Sequence, residues 1–371
     1  MAQSFWTARA LAVKKRIYLD HAATTPMRPE AIAAVADGMA RWANPSSPHA
    51  EGRAARAALE NARARIKASL GWTGELIFTS GASEALWIAL NRAIGGDRLV
   101  SAVEHDAVFR AAPGAEILPI ERSGSTNEID GEALSEALGR MTRPVVAIQS
   151  TNSETGIMQP IGTLAPMIRE RGGMLVSDCS QTAGKYALPD ADLVVVSAHK
   201  LGGPPGIGAL LVRDLRMLDP TGGHEFGYRA GTENLPGILG FAAALQVFAD
   251  EDEAIGQARL AAFNDFMERM DDNQVPFFGA HSHYIQAIPM PHLSAAAQLI
   301  RFDAMGFAVS AGSACSSGTL KRSRALAAFG VDEDTASRTI RVSFGWNTTP
   351  DEIDTFREAW LEVAQGAAKR A

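Results

Sequence analysis

Four short apolar runs, each followed at once by polar residues, constrain the fold of this chain more than any other feature. The runs are predicted as strands and cover residues 99–103, 145–149, 174–176 and 193–196, with helices predicted between them near residues 131–139 and 161–171. Apolar strands that alternate with helices build βαβ units and a mainly parallel sheet. Ligands bind such sheets beyond the carboxyl ends of the strands. The sequence therefore predicts an α/β domain with a site at one sheet edge.

Polar side chains are found where these four strands end. The segments after the strands are, in chain order, 104–106 with His105, 151–156 with Asn152 and Ser153, 177–181 with Asp178 and Gln181, and 197–200 with Lys200. Because the carboxyl ends of parallel strands meet at one sheet edge, these side chains are predicted to surround one crevice. An imidazole, an amide, a carboxylate and an amine at four successive strand ends favour a functional site over coincidence.

Lys200 directly follows an apolar strand and precedes a turn rich in Gly and Pro, after which a second apolar run covers residues 207–212. A lysine in this position is expected to be partly buried, which lowers the pKa of its amine and suits Schiff-base chemistry. When the Ser-x-His-Lys tetrad is taken alone, a loop lysine beside a structural turn explains it equally well.

A strand at residues 75–80, a turn at Gly81 and Ala82 and a helix that begins at Ser83 form a second candidate feature. Small residues at such a turn leave backbone N–H groups at the helix N-terminus free to bind an anion, typically phosphate. Taken alone, a turn of this kind is more often only a helix cap.

The last third of the chain has no long linker. A helical pattern rich in Ala, Leu and Phe covers residues 236–271. Strands are then predicted at 275–278, 285–289, 307–310 and 339–344, and helices at 294–305 and 350–367. This alternation favours a second, smaller domain.

Length and composition exclude several classes of protein. The chain has 371 residues, enough for two domains, and its 46% hydrophobic and 21% charged residues are ordinary for a soluble globular protein. The net charge of −7 gives no support to nucleic-acid or membrane binding. The two cysteines, Cys179 and Cys315, offer neither a disulfide framework nor metal-ligand spacing. We therefore expect no metal and a reducing, cytoplasmic location.

The chain resembles the cysteine desulfurases of the NifS/IscS type, fold-type-I pyridoxal 5'-phosphate (PLP) enzymes of the class V aminotransferase group. The resemblance rests on ten segments in order: YLDHAATTP, NPSSPHAEGR, FTSGASEA, VEHDAV, NSETG, SDCSQTAGK, SAHKLGGPPGIGAL, YRAGTEN, SAGSACSSG and TIRVSFG. It implies a large PLP-binding domain at residues 18–250, with a mainly parallel seven-stranded sheet flanked by helices. A smaller α+β domain would comprise residues 1–17 and 251–371 and carry the loop of Cys315.

The resemblance also implies a role for each residue at the strand ends. Lys200 would form the internal aldimine with PLP, and Asp178 would pair with the pyridinium nitrogen. His105 would lie on the ring face, and Gln181 would hydrogen-bond the phenolic oxygen. The phosphate would be held by four residues of this chain and one of a neighbouring subunit, in a homodimer with a shared active site. These five residues are Ala82, Ser83, Ser197, His199 and, from the neighbour, Thr232.

Substrate binding is implied at Arg341, whose planar fork suits the carboxylate of L-cysteine, and at Asn152. Taken alone, an arginine on a strand is more often a surface residue. The family has an asparagine where this chain has Ser153. Ser153 is therefore expected to contact PLP through a shorter or water-mediated bond, or Asn152 compensates in part.

Cys315 lies among Gly, Ser and Ala residues, which predict a polar, exposed loop that can move, whereas Cys179 is interpreted as structural. By the resemblance, L-cysteine displaces Lys200 from PLP and the freed amine takes the Cα proton. Cys315 then attacks the substrate sulfur, which leaves a persulfide on the enzyme and releases L-alanine. A thiol acceptor or an iron–sulfur scaffold protein would collect the sulfur.

Other interpretations stay open from the sequence. A selenocysteine lyase or a cysteine C–S lyase would use the same cofactor without a mobile cysteine. A transaminase would need no sulfur acceptor. A non-catalytic scaffold protein with the PLP fold is disfavoured, because Lys200, Asp178, His105 and Cys315 are all present.

Overall fold

A seven-stranded sheet forms the centre of the computed structural model, which describes residues 16–121, 127–249, 253–270, 280–311 and 322–369. The strands are β1 (Ile17–Tyr18), β2 (Glu75–Thr79), β3 (Arg98–Ser101), β4 (Glu116–Leu118), β5 (Val145–Ala147), β6 (Met174–Asp178), β7 (Leu193–Ser197), β8 (Gly208–Val212), β9 (Ile285–Pro289), β10 (Phe307–Ala308) and β11 (Thr339–Ser343). The helices are α1 (Pro29–Ala40), α2 (Ala50–Ser69), α3 (Ala82–Arg92), α4 (Asp106–Ala111), α5 (Gly131–Arg140), α6 (Ile161–Glu170), α7 (Leu235–Ala249), α8 (Glu253–Arg269), α9 (Ala295–Met305), α10 (Arg324–Ala328), α11 (Glu333–Ser337) and α12 (Pro350–Ala368).

The central sheet has the strand order β2-β8-β7-β6-β5-β3-β4. The pairs from β7 to β4 are parallel, whereas β8 is antiparallel to both β2 and β7. Both faces are covered: Leu76 and Phe78 belong to one hydrophobic cluster, and Ile77 between them belongs to another. Alternate residues of a strand point to opposite faces, so consecutive apolar residues in the middle of a strand fill the core on both sides of the sheet. The predicted mainly parallel sheet flanked by helices is confirmed.

A third hydrophobic cluster lies away from this sheet. It contains Phe266, Phe302, Phe356 and Trp360, from α8, α9 and α12. Beside it, β9 pairs with β11 in antiparallel fashion and β1 pairs with β10 in parallel fashion. The predicted domain limits, 18–250 for the large domain and 1–17 with 251–371 for the small one, stay a prediction.

Several elements differ from the sequence predictions. The helical pattern predicted at residues 236–271 forms two helices, α7 and α8, and the strand predicted at 275–278 lies outside the described residues. The short elements α4 and β4 were not predicted, because six and three residues carry too little periodicity. Strand β6 extends to Asp178, two residues beyond its predicted end, so this carboxylate belongs to the strand itself. Within the described ranges, no helix combines the length and apolarity needed to cross a membrane.

Candidate active site

A cavity of about 880 Å³ lies at the carboxyl ends of the parallel strands, as the strand-end segments predict. Its wall contains all the predicted cofactor and substrate residues within the described ranges except Thr232. These residues are Ala82, Ser83, His105, Asn152, Ser153, Asp178, Gln181, Ser197, His199, Lys200 and Arg341. The fold therefore brings together side chains that are up to 259 positions apart, from Ala82 to Arg341.

Lys200 ends a short 3₁₀ turn, Ala198–Lys200, that directly follows β7. Its ammonium donates to the carbonyl oxygens of Ala22 and Ala23, the latter at 2.9 Å. Burial in the cavity wall, with a smaller contribution from the positive charge of Arg341, lowers the pKa of Lys200 to about 8. The amine can therefore lose its proton close to physiological pH, which an exposed lysine cannot do.

Arg341 lies in the middle of β11, and its side chain is almost completely buried at the cavity. Its Nη2 donates to the carboxylate of Asp20 at 2.7 Å, and its Nη1 donates to the carbonyl oxygen of Ser153 at 2.9 Å. Its buried Nε has no partner among the described residues. The sequence reasoning missed Asp20 as the partner of Arg341, although Asp20 stands in a polar segment directly after a strand, which was the available signal.

Asp178 and Gln181 lie at the end of β6. The carboxylate of Asp178 accepts a hydrogen bond from the backbone N–H of Ser180 at 2.9 Å. Gln181 donates from Nε2 to the carbonyl oxygen of Ala22 at 3.0 Å. Its buried Oε1 has no partner in the part of the chain that the structure describes. A buried polar atom in a cavity wall needs a hydrogen-bond partner, which a ligand in this cavity can supply.

His105 caps the N-terminus of α4. Its Nδ1 accepts from the backbone N–H of Ala107 at 3.2 Å, so the neutral ring carries its proton on Nε2. The surrounding protein lowers the pKa of His105 mainly through loss of hydration, although the ring still meets solvent in the cavity. The neighbouring Glu104 is buried, and burial raises the pKa of its carboxyl group well above the usual range. Sequence reasoning did not assign Glu104.

The segment after β5 is held by Asn152. Its side-chain oxygen accepts from the backbone N–H groups of Glu154 and Thr155 at 3.0 and 2.9 Å, and its Nδ2 donates to the carbonyl oxygen of Val103 at 3.0 Å. These bonds fold the loop so that Ser153 reaches the cavity with its carbonyl oxygen toward Arg341. The predicted contacts of Asn152 with substrate and of Ser153 with PLP stay predictions.

The N-terminus of α3 opens into the cavity. Its first residues follow Gly81, whose φ of +146° favours glycine and which makes no side-chain cap. The first N–H groups of such a helix have no partner within the helix and face the cavity at Ala82 and Ser83. His199 lies in the same cavity wall and contacts Thr24 Oγ1 at 3.1 Å, and burial lowers the pKa of His199 to about 4, so its ring is neutral.

Three other residues that the sequence reasoning named lie elsewhere. Thr232 is exposed on the surface and is absent from the cavity wall of this chain. Cys315 lies outside the described residues, although Ser310 and Arg322, on either side of residues 312–321, both line the cavity. Cys179 is fully buried, and burial raises the pKa of its thiol to about 12, which agrees with a structural role.

Known proteins are similar to this chain in sequence and fold over nearly its whole length. The family model for aminotransferase class-V matches residues 17–356. The chain belongs to this family. Among class-V relatives, the cysteine desulfurase IscS of Dictyoglomus turgidum is 33% identical, over 92% of this chain and 93% of the relative. The X-ray structure of a NifS-like protein from Rickettsia africae superposes with a TM-score of 0.85 at 28% identity, over 94% of this chain and 99% of that one. A structure of SspA in complex with cysteine superposes with a TM-score of 0.73 at 28% identity, over 88% and 98% of the two chains.

Class-V enzymes of this kind depend on PLP, and the cavity has the groups that this cofactor needs. The carboxylate of Asp178 suits the ring nitrogen, and the N-terminus of α3 suits the phosphate. The amine of Lys200 suits the aldehyde carbon. The unpartnered oxygen of Gln181 offers one more acceptor inside the same wall. The residues present therefore fit PLP.

Proposed function

We propose that this chain is a PLP-dependent cysteine desulfurase, which converts L-cysteine to L-alanine and transfers the sulfur to Cys315 as a persulfide. The observation that carries the proposal is the meeting of Lys200, Asp178 and Arg341 in one cavity of a class-V protein. The relatives named cysteine desulfurase support the reaction, and the cysteine complex of SspA supports the substrate class. The sulfur then passes to an acceptor thiol or protein for the synthesis of iron–sulfur clusters or other thio-cofactors.

Arg341 binds the carboxylate of L-cysteine. Asp20 and the carbonyl oxygen of Ser153 hold its guanidinium group in place through two hydrogen bonds, so the group is oriented before the substrate arrives. The unpartnered Nε and the remaining Nη hydrogens are the donors left for the substrate. A lysine at this position would offer a point charge instead of a planar fork.

Lys200 would hold the cofactor covalently, and its amine would remove the Cα proton of the substrate. PLP, when bound, supplies an electron sink that stabilises the negative charge left at the substrate Cα. The Nζ of Lys200 takes the Cα proton, for which a pKa of about 8 leaves a useful neutral fraction near physiological pH. Asp178 would hold the ring nitrogen, and His105 would lie over the ring.

Cys315 accepts the sulfur. Its thiolate attacks the substrate sulfur, so an S–S bond forms as the Cβ–S bond breaks, and the electron pair of that bond goes to Cβ, which takes up a proton. Ser310 precedes Cys315 in the chain and Arg322 follows it, and both of these described residues line the cavity. Cys179 is unsuited to this role, since its buried thiol has a pKa of about 12.

The active protein is a homodimer in which Thr232 of each chain completes the phosphate site of the other. Thr232 is exposed, and the segment that carries it is tied to α3 by an ion pair of Arg229 with Glu84, at 3.2 Å. Phe226 in the same segment is an apolar side chain that is 47% exposed in the single chain. A second copy of the chain would cover it.

The dimer is tested by mixing two inactive variants, Lys200→Ala and Thr232→Ala, after partial unfolding and refolding together. In mixed dimers one of the two sites has neither substitution, so roughly a quarter of all sites should regain activity. A monomer with full activity, or no recovery on mixing, would contradict the shared site.

The cellular location follows from the chemistry of the thiol. A free Cys315 thiol needs a reducing compartment, and we place the protein in the cytoplasm.

The reaction is tested by measuring alanine and sulfide release from L-cysteine with a thiol reductant. Wild type should form both products at equal rates, and Cys315→Ala should abolish both while the absorbance of bound PLP stays unchanged. Cys179→Ala is the matched control and should keep its activity, because this thiol does not reach the cavity wall. Full activity of Cys315→Ala would show that Cys315 is not the sulfur acceptor, and pyruvate and ammonia as products would establish a C–S lyase.

A further inference from the structure

Arg324, at the start of α10, contacts residues before and after His105. Its Nη2 donates to the carbonyl oxygen of Glu104 at 2.8 Å, and its Nη1 lies 3.0 Å from the carboxylate of Asp106. Its guanidinium carbon stacks on the ring of Phe109, 3.6 Å from the ring centre. Three contacts from one side chain thus fall on the residues immediately before, immediately after and one turn beyond His105.

The segment that Arg324 holds needs external support. Helix α4 has only six residues, and its N-terminus faces the cavity with His105 as the cap. Helices of this length are not stable on their own, so tertiary contacts decide where α4 and its cap lie. Arg324 is 219 positions from His105 along the chain and belongs to the part of the sequence that follows residues 312–321.

A second contact from the same helix start supports this arrangement independently. Ser323, the cap of α10, donates from Oγ to the carboxylate of Glu154 at 2.6 Å. Glu154 belongs to the segment after β5, whereas Glu104 and Asp106 belong to the segment after β3. The start of α10 therefore ties two strand-end segments of the cavity wall together.

We propose that Arg324 is a positioning residue for His105 in the proposed desulfurase. By holding Glu104 and Asp106, Arg324 keeps the backbone of His105 where Nδ1 accepts from Ala107 and the protonated Nε2 stays available to the cavity. This inference rests on the proposed function for its catalytic consequence, but the orientation of the His105 ring can be measured without any reaction. The charged groups that face His105 are Asp178, Lys200, Asp106 and Arg110, with Arg324 beyond Asp106.

The catalytic consequence is tested by a double-mutant cycle of Arg324→Ala with His105→Ala. Arg324→Ala should lower kcat for alanine release roughly 10- to 100-fold, the loss typical of a misplaced catalytic group, with a smaller change in KM. In the His105→Ala background the same substitution should have an effect below about threefold, because its target is gone. Arg324→Lys keeps the charge but not the fork and should recover activity only in part. Equal losses in both backgrounds would overturn the proposal.

The orientation of the ring is tested in PLP-free protein by NMR of the histidine side-chain nitrogens, with His105→Asn used for assignment. In wild type, His105 should show one neutral tautomer with the proton on Nε2 and a hydrogen-bonded Nδ1. In Arg324→Ala the two nitrogen signals should move toward a tautomer average. Arg216→Ala is the matched control, because Arg216 is exposed and pairs with the neighbouring Asp214, and it should leave the signals unchanged. An unchanged tautomer in Arg324→Ala would refute the positioning role even if the protein proves to be a desulfurase. A shifted tautomer in a protein without desulfurase activity would reject only the proposed function.

Discussion

The buried ion pair of Arg63 and Glu225 offers a sharp test of how the fold supports the segment of Thr232. The guanidinium group of Arg63 faces the carboxylate of Glu225 with two contacts, at 2.8 and 3.0 Å, and both side chains are buried. The same carboxylate accepts from the backbone N–H of Phe78 at 2.7 Å. Glu225 and Phe226 both have positive φ, +49° and +58°, a strained conformation for residues other than glycine. The ion pair therefore holds a strained turn against β2.

The cost of breaking this pair follows from what remains. In Arg63→Ala, the carboxylate of Glu225 stays buried and, within the described part of the chain, keeps the Phe78 N–H as its one partner. Removal of one member of a buried pair typically costs about 3–5 kcal/mol in the free energy of unfolding. In Glu225→Gln, the side chain keeps its size but loses its charge, and the loss of charge-assisted hydrogen bonds should cost about 2–3 kcal/mol. The double variant Arg63→Met with Glu225→Leu should lose less than the sum of the two single variants, because no unpaired charge remains.

The assay is urea unfolding followed by far-UV circular dichroism, with the same excess of PLP for every variant. Arg216→Ala is the matched control, since the ion pair of Arg216 with Asp214 is exposed, and its unfolding midpoint should not move. If Arg63→Ala shifts the midpoint no further than Arg216→Ala, the ion pair does not hold the turn and the reasoning fails.

Three further predictions concern single groups. As the pH rises from about 8 to about 10.5, PLP-free wild type should gain stability relative to Lys200→Met, because the unfolded lysine keeps a proton that the folded one has lost. Urea midpoints across this range measure the gain, and an equal pH profile of the two proteins would contradict the lowered pKa of Lys200. Thr349→Ala should cost about 1 kcal/mol in the free energy of unfolding with kcat unchanged, since it removes the capping box of α12. Thr355→Ala in the same helix should cost less in urea unfolding, and equal losses would show that the cap does not matter. Arg341→Lys should raise KM for L-cysteine roughly tenfold or more with a smaller change in kcat, because lysine lacks the planar bidentate guanidinium group. Alanine release measures both constants, and an unchanged KM would place the substrate carboxylate elsewhere.

The central sheet and most of the cavity wall could be predicted from local sequence. Buried strands such as β7 and β8 are continuous apolar runs apart from Ser197 at the end of β7, so their pattern needs no tertiary information to be recognised. The parallel direction of β3, β5, β6 and β7 brings their carboxyl ends together, which is why His105, Asp178 and Lys200 were predicted to meet. Cofactor and reaction were predicted from the order of ten segments, since each segment alone is common.

The partners of these residues could not be predicted, because they come from distant parts of the chain. Asp20 meets Arg341 only because β1 and β11 lie in the same part of the fold, and Arg324 meets Asp106 only because the start of α10 lies beside the segment that follows β3. Neither contact leaves a periodic or compositional pattern in the sequence, since an ion pair can join two residues at any separation along the chain. The pKa of Lys200 is likewise a property of the folded chain, as the burial and the neighbouring charge that lower it exist only after the strands have assembled.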